Sequence, residues 1–266
     1  MSAALPIRMV EKPWGRDVLP EPFIAPAGQR IGEIWFEPPP QLPQLLVKYL
    51  FTSDKLSVQA HPSDAQLPGH GKEECWLVID AEPGAALGVG FRQAITREAM
   101  HAGALDGSIE RLLEWHSVRA GDFFYIPAGT VHAIGAGVSL IEVQQTSEVT
   151  YRLYDYGRPR ELHLDEGLAV ARGEPHPGGL RRKVPDRGAI MLVDGPLFRL
   201  DRLDGTPDAS ILARYGQAPV LAIPMQGEMR VSGECVAPGN CALADKLSDI
   251  DLAPSALCLI AQPCST

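Results

Sequence analysis

The chain has 266 residues, 45% hydrophobic and 21% charged, with 24 Lys and Arg against 33 Asp and Glu for a formal charge of −9. That balance is one of a globular protein able to bury a core, and it argues against nucleic-acid binding, since the basic residues cluster only at Arg181-Arg182-Lys183. No run approaches the ~18 apolar residues of a membrane helix. The opening MSAALPIRMVEKPWG holds no basic stretch followed by an apolar one, so a cytoplasmic location with no membrane partner is expected.

The five cysteines, Cys75, Cys235, Cys241, Cys258 and Cys264, include no C-x-x-C pair. They are read as reduced, structural thiols. Twenty-four prolines and 26 glycines cut the chain into short pieces. Between them lie the β-rich runs LLVKYLF (45–51), KLSVQAH (55–61), CWLVID (75–80), DFFYIPA (122–128) and VSLIEVQQ (138–145). Thr96–His116 predicts one or two helices, with Thr96 as N-cap and Glu98 in the first turn. A further helix is expected near Asp165–Arg172. The segment 172–188, rich in Pro, Gly and Arg, reads as a linker, and short β runs resume from Ala189. The expected fold is therefore all-β, with two barrels: a larger one over 1–178 carrying a small helical insertion, and a smaller one over 179–266.

Two segments carry chemistry. Gly121, Pro127, Gly129 and His132 form a G-x5-P-x-G-x2-H pattern, the second signature of the cupin-type, or jelly-roll, barrel. Pro127 and Gly129 suit a tight turn, after which His132 begins the returning strand and points into the barrel mouth. In LSVQAHP, residues two apart share a face, so Ser57, Gln59 and His61 look inward together. Glu74 stands thirteen residues beyond His61. Gln59, His61, Glu74 and His132 offer two imidazoles, a carboxylate and an amide oxygen, a mixed set that suits catalytic zinc; iron and manganese use the same ligand types. The remaining histidines, His70, His101, His116, His163 and His176, are read as ordinary packed or surface residues.

With these residues in place, the chain resembles the type I mannose-6-phosphate isomerases, especially their short bacterial form. LSVQAHP, GKEECW, IPAGTVHAIG and QQTSEVTYRLYDYGR carry the resemblance, supported by KPWG (12–15), IGEIW (31–35), LLVKYL (45–50) and RELHLDEGLAV (160–170). It covers most of 10–172, while the last 80 residues resemble the family's second barrel only loosely. The resemblance implies one Zn²⁺ per chain on Gln59, His61, Glu74 and His132. It further implies an active-site lysine at Lys72, an arginine at Arg152, an inward carboxylate at Glu142, and phosphate contacts at Ser57 and Arg158. Where the family usually has an aspartate as proton-transfer candidate, this chain has Glu148, one methylene longer. The implied reaction interconverts mannose 6-phosphate and fructose 6-phosphate through an enediol. The expected partner is a phosphorylated hexose, with the chain acting as a monomer or homodimer. Two other readings use the same barrel. A cupin oxygenase would carry histidine where Gln59 stands, and a non-catalytic sugar-binding cupin would have lost metal ligands that this chain keeps.

Overall fold

The strand rhythm of the sequence becomes two facing β-sheets in each half of the chain. The structure is a computed structural model, and it describes residues 4–264. The first half contains a seven-stranded sheet in the order Ile7–Arg16, Ile31–Phe36, Leu45–Phe51, Val138–Gln145, Glu74–Ala81, Asp122–Ile126 and Arg181–Lys183. Facing it is a five-stranded sheet: Tyr151–Tyr154, Val58–Ala60, His132–Ile134, Ala86–Phe91 and Leu113–Ser117. The all-β expectation is borne out.

Leu45–Phe51 is buried at every residue, and period-2 geometry says why. Val47, Tyr49 and Phe51 join Phe198, Leu221, Ile223 and Leu259 in a core shared with the second half. Leu50 faces the opposite way, into the first barrel with Trp76, Phe124 and Leu140. A strand covered on both faces has no polar alternation to show, so Lys48 in its middle is an exception that requires a partner.

The small sheet is covered on its outer face by helices. Arg97–Asp106 is capped at its start by Thr96, whose Oγ1 accepts the Ala99 N–H at 3.2 Å, and closes on Gly107 at φ 78°. Ile109–Leu112 follows it, and Leu164–Val170 lies near the third helix predicted. Met100, Ala104, Ile109 and Leu168 pack on Val58, Ala60, Val131 and Ala133. Gln59, between Val58 and Ala60, is thereby turned to the barrel interior.

The segment read as a linker is partly structured. Arg181–Lys183 pairs antiparallel with Asp122–Phe124 as the last strand of the large sheet. Arg172 bridges Thr130, and Pro175 bridges Gly90. The Pro/Gly content marks tight turns here instead of free chain.

The second half has a five-stranded sheet, ordered Ile190–Asp194, Phe198–Asp204, Leu257–Pro263, Val220–Gln226 and Ala242–Ala244, with a three-stranded one of Glu234–Val236, Met229–Val231 and Ile250–Leu252. A helix that the sequence reading did not foresee, Ala209–Tyr215, is capped by Asp208, which accepts from the N–H groups of Ser210 and Ile211.

Candidate active site and metal centre

Gln59 and His132 are directly opposite each other on paired strands, and Glu74 opens its own strand across the barrel. Each histidine is oriented from behind. His61 Nδ1 donates to the Val149 carbonyl at 2.9 Å, and His132 Nδ1 to the Thr130 carbonyl at 2.9 Å. A proton on Nδ1 leaves the Nε2 lone pair facing inward, because the backbone carbonyl behind each ring fixes its tautomer as it does for metal-ligating imidazoles. His61 Nε2 lies 3.6 Å from Glu74 Oε2, and His132 Nε2 lies 3.4 Å from Oε1. One ligand atom from each of His61, Glu74 and His132 falls within 4.8 Å of the others, and no other such group occurs among the described residues.

The donor set fits a divalent metal. Both Glu74 oxygens are buried without an accepted hydrogen bond, although Lys72 Nζ lies 2.9 Å from Oε2. A buried carboxylate in that state is costly unless something else binds it. Gln59 carries its amide nitrogen 3.2 Å from His132 Nε2 and its Oε1 3.0 Å from the Ser57 hydroxyl. Turning the amide over presents its oxygen to the cluster and its NH₂ to Ser57. Burial, reinforced by the Lys72 charge, pushes the His61 pKa well below the ordinary imidazole value, and burial also lowers His132. Both rings are therefore neutral, the form that binds metal. Burial alone would raise Glu74, but the Lys72 charge outweighs it and holds the carboxyl low. Burial would likewise lower Lys72, yet Glu74 and Glu142 overcome it and the ammonium is retained.

Above this cluster opens a cavity of about 430 Å³. Trp35, Lys48, Glu142 and Trp76 on its wall are successive register partners in one lateral row of the large sheet, which begins at Arg8 and continues beyond the wall through Phe124 to Arg181. The Arg8 guanidinium lies 4.3 Å from the Trp35 ring centre and Lys48 Nζ lies 4.4 Å from it. Lys48 Nζ pairs with Glu142 Oε1 at 3.2 Å, and the Trp76 indole donates to Glu142 Oε2 at 3.0 Å. The ring of Trp76 in turn meets His132 edge-on at 5.3 Å. Nearby, Lys12 pairs with Glu33 at 3.2 Å.

The sequence reading assigned no role to Lys12, Glu33, Trp35, Lys48 or Trp76. The signal was available: a lysine within LLVKYLF and a glutamate within IGEIW are charges among aliphatic residues, and such charges are buried only when paired.

Ser57, Lys72, Glu142 and Arg152 line the cavity as well. Burial, with the neighbouring Arg160 charge, lowers the Arg152 pKa. Three residues singled out in the sequence sit differently from the rest. Glu148 reaches only the rim, where its side chain is 75% exposed and pairs with Arg8 at 3.6 Å. The chain has left its strand at Gln145, and the turn, held by Gln144 Nε2 donating to the Ser147 carbonyl and Ser147 Oγ to the His70 carbonyl, carries residue 148 outward. Arg158 is not on the cavity wall. It is held by Asp155, at 2.9 Å, and by the Lys55 carbonyl, at 2.7 Å. Tyr156 (φ 54°) and Gly157 (φ 74°) turn the chain at this point, and Arg160 lines the cavity instead. Finally, His163, read as ordinary, also lines it, and its Nδ1 accepts the Arg152 backbone N–H at 3.3 Å.

Relatives of known name share these features. The chain is 37% identical over 210 residues to the mannose-6-phosphate isomerase ManA of Bacillus subtilis and 43% identical over 194 residues to the mannose-6-phosphate isomerase of Streptococcus mutans. The chain is similar to the mannose-6-phosphate isomerases. These matches cover 73% and 67% of this chain but span only 65% and 60% of the two relatives' own length. No protein-family model matches. Structurally, the family's fold extends through both halves. The crystal structure of the B. subtilis mannose 6-phosphate isomerase superposes with a TM-score of 0.76 at 21% identity, over 97% of this chain and 98% of that one. The apo enzyme from Salmonella typhimurium superposes at 0.72 with 15% identity, covering the whole of both chains. No helix among the described residues is long and apolar enough to cross a membrane.

Proposed function

We propose that the protein is an aldose–ketose isomerase that interconverts mannose 6-phosphate and fructose 6-phosphate in the cytoplasm, with one zinc ion per chain. The observation that carries this reading is the buried cluster of neutral imidazoles and an under-satisfied Glu74, lying beneath a cavity walled by Lys72, Lys48 and Glu142. Sequence identity to relatives named for this reaction supports the choice of substrate.

Gln59, His61, Glu74 and His132 would hold the zinc, which when bound supplies a Lewis acid toward the sugar's carbonyl or hydroxyl oxygens. With Glu74 as the single anionic ligand, the site keeps positive charge. The isomerisation moves a proton between C1 and C2 while negative charge builds on oxygen. Lys72, charged and fixed beside Glu74 at 2.9 Å, adds positive field where that charge develops. Glu142 is the carboxylate placed to carry the proton. It is buried on the cavity wall, with one oxygen held by Lys48 and the other by Trp76, so its position is set before substrate arrives. Trp35 and Trp76 close the wall against water. Residues 1–178 hold the chemistry in this reading, and 179–266 form a metal-free wall behind it.

Turnover of a panel of phosphorylated and free aldoses by purified protein, with zinc measured on the same sample, tests the proposal. Isomerisation of mannose 6-phosphate that disappears on chelation and returns with zinc is expected. Failure to isomerise any phosphorylated aldose at full zinc occupancy overturns it.

A further inference from the structure

Lys72, the cation that the isomerase reading sets beside the developing charge, stands outside any strand. The strand begins at Glu74, which pairs with Gln144 and Ile126, and residues 71–73 precede it as irregular chain. A lysine ammonium rides on a flexible four-carbon stem, so it is only as well placed as the backbone beneath it. Irregular backbone has no ladder to place it, and its N–H groups need other acceptors.

Each of these N–H groups is given one. Gly71 donates to Asp64 Oδ1 at 2.9 Å, Lys72 to the Pro62 carbonyl at 2.9 Å and Glu73 to Gln145 Oε1 at 2.9 Å. The Gln145 N–H returns a bond to the Glu73 carbonyl at 3.0 Å. Gln145 Nε2 also donates to Asp64 Oδ2 at 2.7 Å, so one carboxylate and one amide close a ring around the segment that carries Lys72. Neither of them lines the cavity that Lys72 lines. The fit is tight, since a Cβ at Gly71 would stand 2.5 Å from the Asp64 nitrogen. The Glu73 carboxylate accepts the Tyr125 hydroxyl, and the Tyr125 ring packs on Phe198 of the second half at 6.0 Å. Gln145 ends the strand Val138–Gln145, which also carries Glu142. The ammonium and the buried carboxylate of the proposed reaction are thus fastened to a single rigid element.

We propose that Asp64 and Gln145 are positioning residues for the reaction. Together they hold the Lys72 ammonium against Glu74 and His61, 2.9 and 3.2 Å from its Nζ, and Gln145 sets it in register with Glu142. The proposal deepens the isomerase reading and rests on it. Part of the barrier is removed in advance by holding such groups in place, and a small displacement forfeits that advantage.

The test uses the full-length, zinc-loaded protein. Gln145→Leu removes both side-chain bonds and should lower kcat on mannose 6-phosphate by about tenfold. Asp64→Ala, at an exposed residue, should lower it by about threefold or more. In both variants KM should move by less than about threefold. Zinc content should stay at the wild-type level, because Gln59, Glu74 and His132 sit in strands of their own. Gln66→Ala is the control. It removes the acceptor of the Ser63 N–H and hydroxyl, at 3.0 and 2.9 Å, in the same loop without touching 71–73, and should leave kcat within about twofold. In a Lys72→Met background, adding Gln145→Leu should cost less than about twofold, since nothing is left to position. Wild-type kcat in both Gln145→Leu and Asp64→Ala, an equal loss in Gln66→Ala, or a full tenfold loss in the Lys72→Met background overturns the proposal. Amide exchange on the metal-free protein reads the same contacts without turnover. The Glu73 N–H should exchange about fivefold faster or more in Gln145→Leu, and exchange at the wild-type rate overturns the proposal as well. Faster exchange in that variant, with no isomerisation by the wild type, would sink the isomerase reading while leaving the hold on Lys72 in place.

Discussion

Glu142→Gln separates the proton carrier from the rim carboxylate and has a cost that can be worked from the structure. Glu142 is 4% exposed, with Lys48 on one oxygen at 3.2 Å and the Trp76 indole on the other at 3.0 Å. Glutamine keeps the shape and one accepting oxygen, so the Trp76 bond survives, while Lys48 loses its counter-ion. Breaking a buried pair from one side costs about 3–5 kcal/mol. Lys48 keeps the Trp35 ring 4.4 Å away in both proteins, so that contact cancels and the loss stays at about 3–5 kcal/mol. For a chain of this size that corresponds to a fall in Tm of roughly 6–20 °C. Loss of a positioned acid–base group lowers kcat by about 10²-fold or more, or about 2.7 kcal/mol on the barrier. Glu148→Gln, at the exposed rim, should change stability by less than about 0.5 kcal/mol and leave kcat near wild type. The decisive assay follows exchange of the C2 deuterium of labelled substrate with solvent. Wild-type exchange by Glu142→Gln, or loss of exchange by Glu148→Gln with Tm unchanged, refutes the assignment.

Other outcomes follow from the same geometry. His61→Ala and His132→Ala should each lose zinc and activity together, since three ligands hold the ion far less tightly than four; full zinc by elemental analysis in both variants would remove them from the ligand set. Gly129→Ala should lower stability by about 1–3 kcal/mol in a denaturant melt, because φ is +83° there and an added Cβ would stand 2.8 Å from the Val170 carbonyl oxygen; an unchanged midpoint would contradict that turn geometry. Burial holds His176 below the ordinary imidazole pKa, so acidification protonates the unfolded chain first. Its contribution to stability is complete above about pH 6.5 and is lost as pH falls from there toward its folded value. His176→Gln should therefore flatten the fall in Tm below pH 6.5 relative to wild type, and parallel curves would show that this histidine does not carry the effect.

The parts of the site that were legible in the sequence are those set by local geometry. His132 follows a turn specified by Pro127 and Gly129, and Gln59 faces inward because the residues on either side of it, Val58 and Ala60, pack outward under the helices. Glu142 was reached through the family resemblance, which implies an inward carboxylate at that position. The outward direction of Glu148, three residues past the end of the same strand, was not legible, because it depends on Gln144 and Ser147 bonding across to other segments. For the fold, the missed helix Ala209–Tyr215 had an Asp208 cap but spans only seven residues, too few for a helical period to stand out. The linker reading failed because edge-strand pairing by Arg181–Lys183 is a long-range contact with Asp122–Phe124.

That same pairing governs how the chain must come off the ribosome. Domains fold as they emerge, N-terminal part first. Until residue 183 is free, the Asp122–Ile126 strand has an open edge, and until the strands after 190 arrive, Val47, Tyr49 and Phe51 lack the cover of Phe198, Leu221, Ile223 and Leu259. An unpaired edge beside an apolar face is the usual starting point for aggregation. Nascent chains halted near 178, and proteolytic fragments ending there, should accordingly self-associate even though every metal ligand and every residue of the proposed proton path has already been made. The smaller half is thus a cis-acting guard for the larger one.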